Sequence, residues 1–79
     1  MKIQVLGTGC AKCKALEKNA REAVSNLGVD AEVVKVEDPD DIIDMGVMMT
    51  PALGIDGDIK LTGKVATVEE IEALISGGN

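Results

Sequence analysis

The chain has 79 residues, enough for one small domain and too few for two functional modules. Although 46% of the residues are hydrophobic, none is Phe, Tyr, Trp or His, which excludes aromatic stacking on nucleobases, His-based catalysis and His-ligated zinc. Eight basic and fourteen acidic residues give a net charge of −6, the wrong sign for binding nucleic acid or an anionic membrane.

The hydrophobic pattern and the turn residues predict seven elements. Alternating branched residues predict strands, helical spacing of apolar residues from Cys10 to Leu27 predicts a helix, and Gly28 is typical of its end. Asp38 and Thr67 are typical helix caps. In chain order we predict strand Lys2–Leu6, helix 11–27, strand Ala31–Glu37, helix Pro39–Met45, strands Pro51–Ile55 and Asp58–Thr62, and a helix from Thr67 to Gly77.

The order β-α-β-α-β-β-α predicts a single α/β domain over residues 1–79. A right-handed crossover makes the first two strands parallel neighbours, and the Asp56-Gly57 turn adds an antiparallel pair. Helices are then expected on both faces of a four-stranded mixed sheet. In open sheets of this kind, sites form beyond the carboxyl ends of the parallel strands, and the segment from Gly7 to Cys13 falls there.

Cys10 and Cys13 are the chain's two cysteines, and their spacing indicates chemistry rather than a structural disulfide. A bridge between them closes too short a loop to constrain the unfolded chain, and secreted minidomains carry more cysteines. The N-terminal apolar stretch is too short for a signal peptide, and no stretch is long enough to span a membrane. We therefore expect a cytoplasmic protein.

The Cys10-Ala11-Lys12-Cys13 motif places two thiols at the start of a helix. Residues three apart on a helix lie roughly 5–6 Å apart, within the range that a disulfide tolerates. The helix N-terminus and the nearby Lys12 and Lys14 are expected to lower the pKa of Cys10, which predicts Cys10 as nucleophile and Cys13 as resolving thiol. Two small buried hydrophobic residues, or a metal site, are the alternatives.

Three further features of the sequence bear on the site or its surroundings. The Thr50-Pro51 bond can approach the Cys10 end of the helix through the predicted topology, although composition alone favours an ordinary trans proline at a strand entry. Met45, Met48 and Met49 are expected to fill the core, with an apolar rim for a peptide as the alternative. The acidic run is interpreted as a capped, solvated helix; it consists of Asp38, Asp40, Asp41 and Asp44.

These motifs resemble the thioredoxin-fold proteins of the small, glutaredoxin-sized group known as redox-active disulfide proteins. The resemblance covers nearly the whole chain: the CxxC motif, Met49-Thr50-Pro51-Ala52-Leu53, Ile55-Asp56-Gly57, and Gly63 before the last helix. It implies that Pro51 is cis and faces the disulfide, and that the main chain of Thr50 pairs with a substrate peptide. It also implies that Gly63 leaves room for that peptide, and that the cis proline disfavours metal capture.

The chain also departs from the family pattern. Gly9 stands where typical thioredoxins have Trp, and Ala11-Lys12 replaces Gly-Pro between the cysteines. The first strand lacks the family's buried carboxylate, with Gln4 the nearest polar candidate, so proton transfer at Cys13 is expected to use water, Lys12 or the substrate. The residues that we expect to bind substrate are Gly9, Lys12, Thr50, Pro51 and Gly63.

The sequence therefore predicts a monomeric, cytoplasmic dithiol–disulfide oxidoreductase that needs no metal or other cofactor. Its predicted partners are disulfide-containing protein substrates and a thioredoxin-reductase-like electron donor, with no nucleic acid and no membrane. A soft-metal chaperone is one alternative, although such domains run β-α-β-β-α-β. A redox-sensing binding module is the other alternative.

Overall fold

A computed structural model describes residues 1–9 and 11–76 of the chain. The predicted α/β class and the order β-α-β-α-β-β-α are confirmed. The elements are β1 (Lys2–Leu6), α1 (Ala11–Leu27), β2 (Glu32–Val36), α2 (Pro39–Asp44), β3 (Ala52–Ile55), β4 (Asp58–Thr62) and α3 (Val68–Ile75).

The four strands form one mixed sheet in the order β2-β1-β3-β4. β1 and β2 are parallel, as the crossover rule predicts, while β3 is antiparallel to both β1 and β4. Asp56 and Gly57 both have positive φ, at 53° and 87°, which is the backbone that a tight two-residue hairpin requires. The sheet therefore places the carboxyl ends of β1 and β2 side by side.

The element ends differ from the predictions by a residue or two. β2 is one residue shorter at each end, α2 stops at Asp44 with Met45 as its C-cap, and β3 starts at Ala52 rather than Pro51. Pro51 has no N–H to donate to a ladder, which explains the last difference. The predicted capping box of α3 is confirmed between Thr67 and Glu70. The predicted end of α3 at Gly77 lies outside the described residues.

The core is divided between the two faces of the sheet. Ile3 and Val5 of β1 pack with α1 and α3, whereas Leu6 packs on the opposite face with Ile42 and Val47. This split follows from the alternation of side chains along a strand. Helices on both faces, as predicted, thus bury an aliphatic core without aromatic residues.

The methionine prediction is wrong for two of its three residues. Met45 packs against the core beside α2, but Met48 is 96% exposed and Met49 is 64% exposed. Both lie in the loop that joins α2 to β3, where the chain runs over the surface. Within residues 1–9 and 11–76, no helix is long and apolar enough to cross a membrane.

Candidate active site

The candidate site lies where β1 and β2 end and α1 begins. The Gly7 N–H donates to the Val36 carbonyl at 3.0 Å, which holds the first residue after β1 against the last residue of β2. Two residues later, Gly9 has a φ of +87°, a conformation that favours glycine. Cys10 lies outside the described residues, so its predicted position at the entry of α1 stays a prediction.

Gly7 brings Cys13 and Thr50 together. A Cβ atom placed on Gly7 would overlap the Cys13 Sγ and would lie 3.9 Å from the Thr50 Cβ. The Cys13 side chain faces the end of β1 from the first turns of α1, and it is only 6% exposed. Two predicted site residues from distant parts of the chain therefore meet at a position where only hydrogen fits.

The peptide bond between Thr50 and Pro51 is cis, as the resemblance implies. Pro51 is fully buried, and its carbonyl accepts a hydrogen bond of 2.8 Å from the Gly63 N–H. Gly63 has a φ of +73°, and a Cβ there would lie 3.3 Å from the Met49 Cε. This hydrogen bond joins the loops before β3 and after β4, and so brings together three of the five predicted substrate-binding residues.

The other two predicted substrate-binding residues, Gly9 and Lys12, are exposed. A Cβ on Gly9 would lie 3.6 Å from the Glu37 Oε2, so the absence of a side chain leaves that carboxylate uncovered. Lys12 is an exposed residue of α1, and Lys14 is the lysine of this helix that lines the cavity described next.

A small charged cavity adjoins Cys13, and sequence reasoning missed it. Its volume of about 30 Å³ is enough for about one water molecule. The available signal was the position of Glu17, four residues after Cys13 and so on the same helix face. The cavity is lined by Val5, Gly7, Gly9, Cys13, Lys14, Glu17, Lys35 and Glu37.

The charged groups of the cavity are organised around Glu17. Its Oε2 pairs with the Arg21 Nη2 at 2.9 Å, and its Oε1 lies 3.8 Å from the Lys35 Nζ. The Glu17 side chain is largely buried, so it is the least hydrated carboxylate of the lining. A water held here would contact groups that can give or take a proton next to the Cys13 sulfur.

Gln4, the polar candidate that the sequence offered on β1, does not belong to this cavity. Its Oε1 accepts a hydrogen bond of 3.1 Å from the Gly57 N–H, at the hairpin turn. That bond directs the Gln4 side chain to the hairpin turn and away from Cys13. The polar groups beside Cys13 are instead the carboxylates and ammonium groups that line the cavity.

A metal site was one alternative for the two cysteines. Residues 1–9 and 11–76 contain no group of three or more Cys, His, Asp or Glu side chains arranged to hold an ion. The observed element order also differs from the β-α-β-β-α-β order of the small metal-carrier domains that share a CxxC motif.

Together, a buried cysteine in the first turn of a helix, a cis proline next to the threonine that approaches it, and a four-stranded mixed sheet define the class of thioredoxin-fold proteins. A family model described as "Thioredoxin domain" matches residues 1–76. A thioredoxin of Methanothermobacter thermautotrophicus is 53% identical over 96% of this chain and 99% of its own length. A thioredoxin of Methanocaldococcus jannaschii is 44% identical over 89% of this chain and 80% of its own length.

The chain therefore belongs to the thioredoxin domain family. Its kind of activity is that of a protein thiol–disulfide oxidoreductase. The near-complete coverage of the Methanothermobacter relative means that every described element takes part in this similarity.

Proposed function

We propose that this chain reduces disulfides in proteins, with Cys10 as the attacking thiolate and Cys13 as the resolving thiol. The observation that carries the proposal is the contact of Cys13 with Gly7, beside Thr50 and the cis Pro51. This arrangement supports a reaction in which a substrate sulfur is held between the helix start and the proline loop.

The exchange takes place in two displacement steps. The Cys10 thiolate attacks one sulfur of the substrate disulfide, forms a mixed disulfide, and releases the other substrate sulfur as a thiolate, which takes up a proton. Cys13 then loses its proton and attacks the Cys10 sulfur, which releases the second substrate thiol and leaves a disulfide between Cys10 and Cys13. The substrate gains two electrons, and the chain loses them.

Substrate binding is proposed at the loop before β3. The strand ladders of β3 begin at Ala52, and within the described residues the Thr50 backbone makes no hydrogen bond. An extended peptide can therefore pair with Thr50 in the manner of an added strand. Gly63, which is bonded to Pro51, supports this role because a side chain there would crowd Met49 at the same loop.

The cavity beside Cys13 provides a path for the proton of the second step. The lining carboxylates of Glu17 and Glu37 and the ammonium groups of Lys14 and Lys35 surround a volume of about one water.

For the cycle to continue, a thioredoxin-reductase-like dithiol donor must return two electrons to the oxidised chain. We also propose that this cycle runs in the cytoplasm, because the two cysteines are placed for exchange rather than for a structural bridge. The chain is proposed to act as a monomer.

Substrate trapping tests the proposal. The wild-type chain should accelerate the reduction of insulin by dithiothreitol, Cys10→Ser should abolish the acceleration, and Cys13→Ser should accumulate a mixed disulfide that dithiothreitol releases. A Cys10→Ser/Cys13→Ser variant is the matched control, since it keeps the fold and forms no adduct. Full acceleration by Cys10→Ser, or equal trapping by Cys10→Ser and Cys13→Ser, would contradict the assigned roles.

A further inference from the structure

The strand β2 forms one edge of the sheet, with β1 as its neighbour. The Val36 carbonyl accepts a hydrogen bond from the Gly7 N–H, so the backbone groups of Val36 face the β1 side. Alternate residues of a parallel strand direct their backbone groups to opposite sides, so Val33 and Lys35 direct theirs away from β1. In the part of the chain that the structure describes, no strand pairs with this outer side of β2.

The side chains of β2 are less covered than those of its neighbour. Val33, Val34 and Val36 are half-buried, whereas Ile3 and Val5 of β1 are at most 3% exposed. Val33 packs with the core on the α1 side of the sheet, and Val36 packs with the core on the α2 side. A strand added at this edge would therefore cover apolar surface on both sides of the sheet.

The α1 side of this edge carries a row of basic residues. Lys14, Lys18 and Arg21 are exposed and lie four and three residues apart, which places them on one face of α1. Glu17 connects this face to β2, because its carboxylate pairs with Arg21 at 2.9 Å and lies 3.8 Å from the Lys35 Nζ. These four cations form a basic stripe around one carboxylate, although the whole chain has a net charge of −6.

The alternation of side chains along β2 decides what an added strand would meet on each side. Val33 and Lys35 lie on the α1 side, next to the basic stripe. Val34 and Val36 lie on the other side of the sheet. A segment that matches this edge therefore has acidic side chains towards α1 and apolar side chains on the opposite side, and so alternates the two.

A second copy of the chain does not match this edge. Two β2 strands paired antiparallel are related by a two-fold axis perpendicular to the sheet, which keeps both α1 helices on the same side. Their basic stripes would then meet across strands about 4.8 Å apart, and like charges opposite each other destabilise a strand pair. Lys35 thus disfavours self-association at the edge, whereas it favours an acidic strand.

From these observations we propose that the open edge of β2 binds an extended segment of a partner protein in which Glu or Asp alternates with apolar residues. The segment adds a fifth strand to the sheet through the backbone groups of Val33 and Lys35, and the basic stripe selects its acidic side chains. β1 separates this edge from β3 and the loop before it. The binding involves no thiol chemistry, so this inference is independent of the proposed function.

Peptides without sulfur test the site in the full chain. The probe is acetyl-Thr-Glu-Val-Glu-Val-Glu-Val-Glu-Thr-amide, and its controls carry Lys for every Glu or Pro for the central Val. In heteronuclear NMR titrations at low salt, the probe should shift the amide signals of Val33 and Lys35 and slow their hydrogen exchange about tenfold or more. Both control peptides should bind about tenfold more weakly.

The charge selection is tested by salt and by substitution. An increase in ionic strength from about 0.01 M to about 0.15 M shortens the Debye length from about 30 Å to about 8 Å, and should weaken binding severalfold. Lys18→Gln/Arg21→Gln should weaken binding of the acidic peptide about fivefold. The matched control, Lys60→Gln/Lys64→Gln, removes the same charge at and after β4, on the other edge of the sheet, and should bind like the wild type.

Val33→Pro tests the backbone hydrogen bonds. Because the Val33 N–H faces the outer side, proline removes a donor to the added strand and none from the ladder with β1. Binding of the acidic peptide should fall about threefold to tenfold. If this variant does not fold, the peptide with the central proline tests the same hydrogen-bonded pairing.

Several outcomes would overturn the proposal. No shift with any peptide would exclude strand addition, and equal binding of the acidic and lysine peptides would exclude the charge selection. Shifts confined to the loop before β3 would place the peptide at the candidate active site instead. A dimer in sedimentation, with the amides of Val33 and Lys35 protected without peptide, would assign the edge to a second copy. Loss of insulin reduction with normal peptide binding would overturn the proposed function alone.

Discussion

Gly7 and Cys13 are packed so closely that a single added methyl group on Gly7 would overlap the Cys13 sulfur. Gly7 has no positive φ, so its backbone does not require glycine. The requirement comes from the thiol, because the end of β1 and the first turn of α1 can approach this closely only where the residue that follows β1 has no side chain. The position of Cys13 is thus set by a glycine six residues earlier.

Replacement of Gly7 should lower the stability of the fold because it displaces Cys13. Gly7→Ala is expected to destabilise the chain by about 1–3 kcal/mol because the new Cβ displaces the Cys13 side chain. In a Cys13→Ala background the same substitution should cost much less, since the sulfur is gone. Urea denaturation of the wild type, both single variants and the double variant measures this coupling. Equal costs in both backgrounds would show that the overlap is relieved by backbone movement instead.

Substitution of Gly63 should have two separable effects, one on stability and one on activity. Gly63→Ala places a side chain in the left-handed region, at a cost of about 1–2 kcal/mol, and presses on Met49. Gly28→Ala is the matched control because Gly28 has a similar φ of +64° with no atom within 4 Å of the added Cβ. We expect similar losses of stability by thermal unfolding, but slower reduction of a protein disulfide only for Gly63→Ala. An equal loss of activity in both variants would contradict a local effect at the proline loop.

The charged groups of the cavity next to Cys13 should influence the pH at which the Cys13 thiolate forms. Removal of a carboxylate and removal of an ammonium group should shift that pH in opposite directions. Glu17→Gln removes the anion that faces Lys35 and Arg21, so the thiolate of Cys13 should form at lower pH. Lys35→Met removes a cation, so the thiolate should form at higher pH. Each shift should be several tenths of a pH unit to about one unit for a partly solvated charge. The thiolate absorbance of Cys13 in the Cys10→Ser background measures it during a pH titration.

The control for this titration is Glu22→Gln, an exposed residue of α1 that does not line the cavity. Its curve should match that of the parent variant. Shifts of the same sign for Glu17→Gln and Lys35→Met would indicate general loosening of the structure rather than electrostatic coupling to the thiol.

The capping box of α3 predicts an acid-dependent loss of stability. Glu70 accepts from the Thr67 backbone N–H, and this bond, with the ion pair to Lys64, lowers the Glu70 pKa from 4.5 to about 2. Because the pKa is lowered on folding, the stabilisation is present above pH 4.5 and is lost as the pH falls from 4.5 towards about 2.

Urea denaturation across that pH range is the measurement. Glu70→Gln should be less stable than the wild type at neutral pH and should lose less stability on acidification. Glu69→Gln, which removes the adjacent charge and leaves the capping box intact, should retain the acid dependence of the wild type. An unchanged acid dependence in Glu70→Gln would show that other carboxylates dominate the acid transition.

The local elements were predictable because their signals are local. Alternation in β1, helical spacing in α1, the Asp56-Gly57 turn and the Thr67 cap each depend on a few neighbouring residues, and the structure has all four. Element ends were less predictable, as at Pro51, where the absence of one N–H decided where the β3 ladder begins.

The sequence by itself determined the order of the elements, the parallel pairing of β1 with β2, and the position of Cys13 beside the carboxyl end of β1. Only the tertiary structure decided which side chains surround Cys13. The approach of Thr50 to Gly7 and Cys13, the place of Lys35 in the cavity beside Cys13, and the hydrogen bond between Gln4 and Gly57 each join residues far apart in the chain. Packing sets such contacts, because a local pattern indicates which face of an element is apolar but not what lies opposite that face.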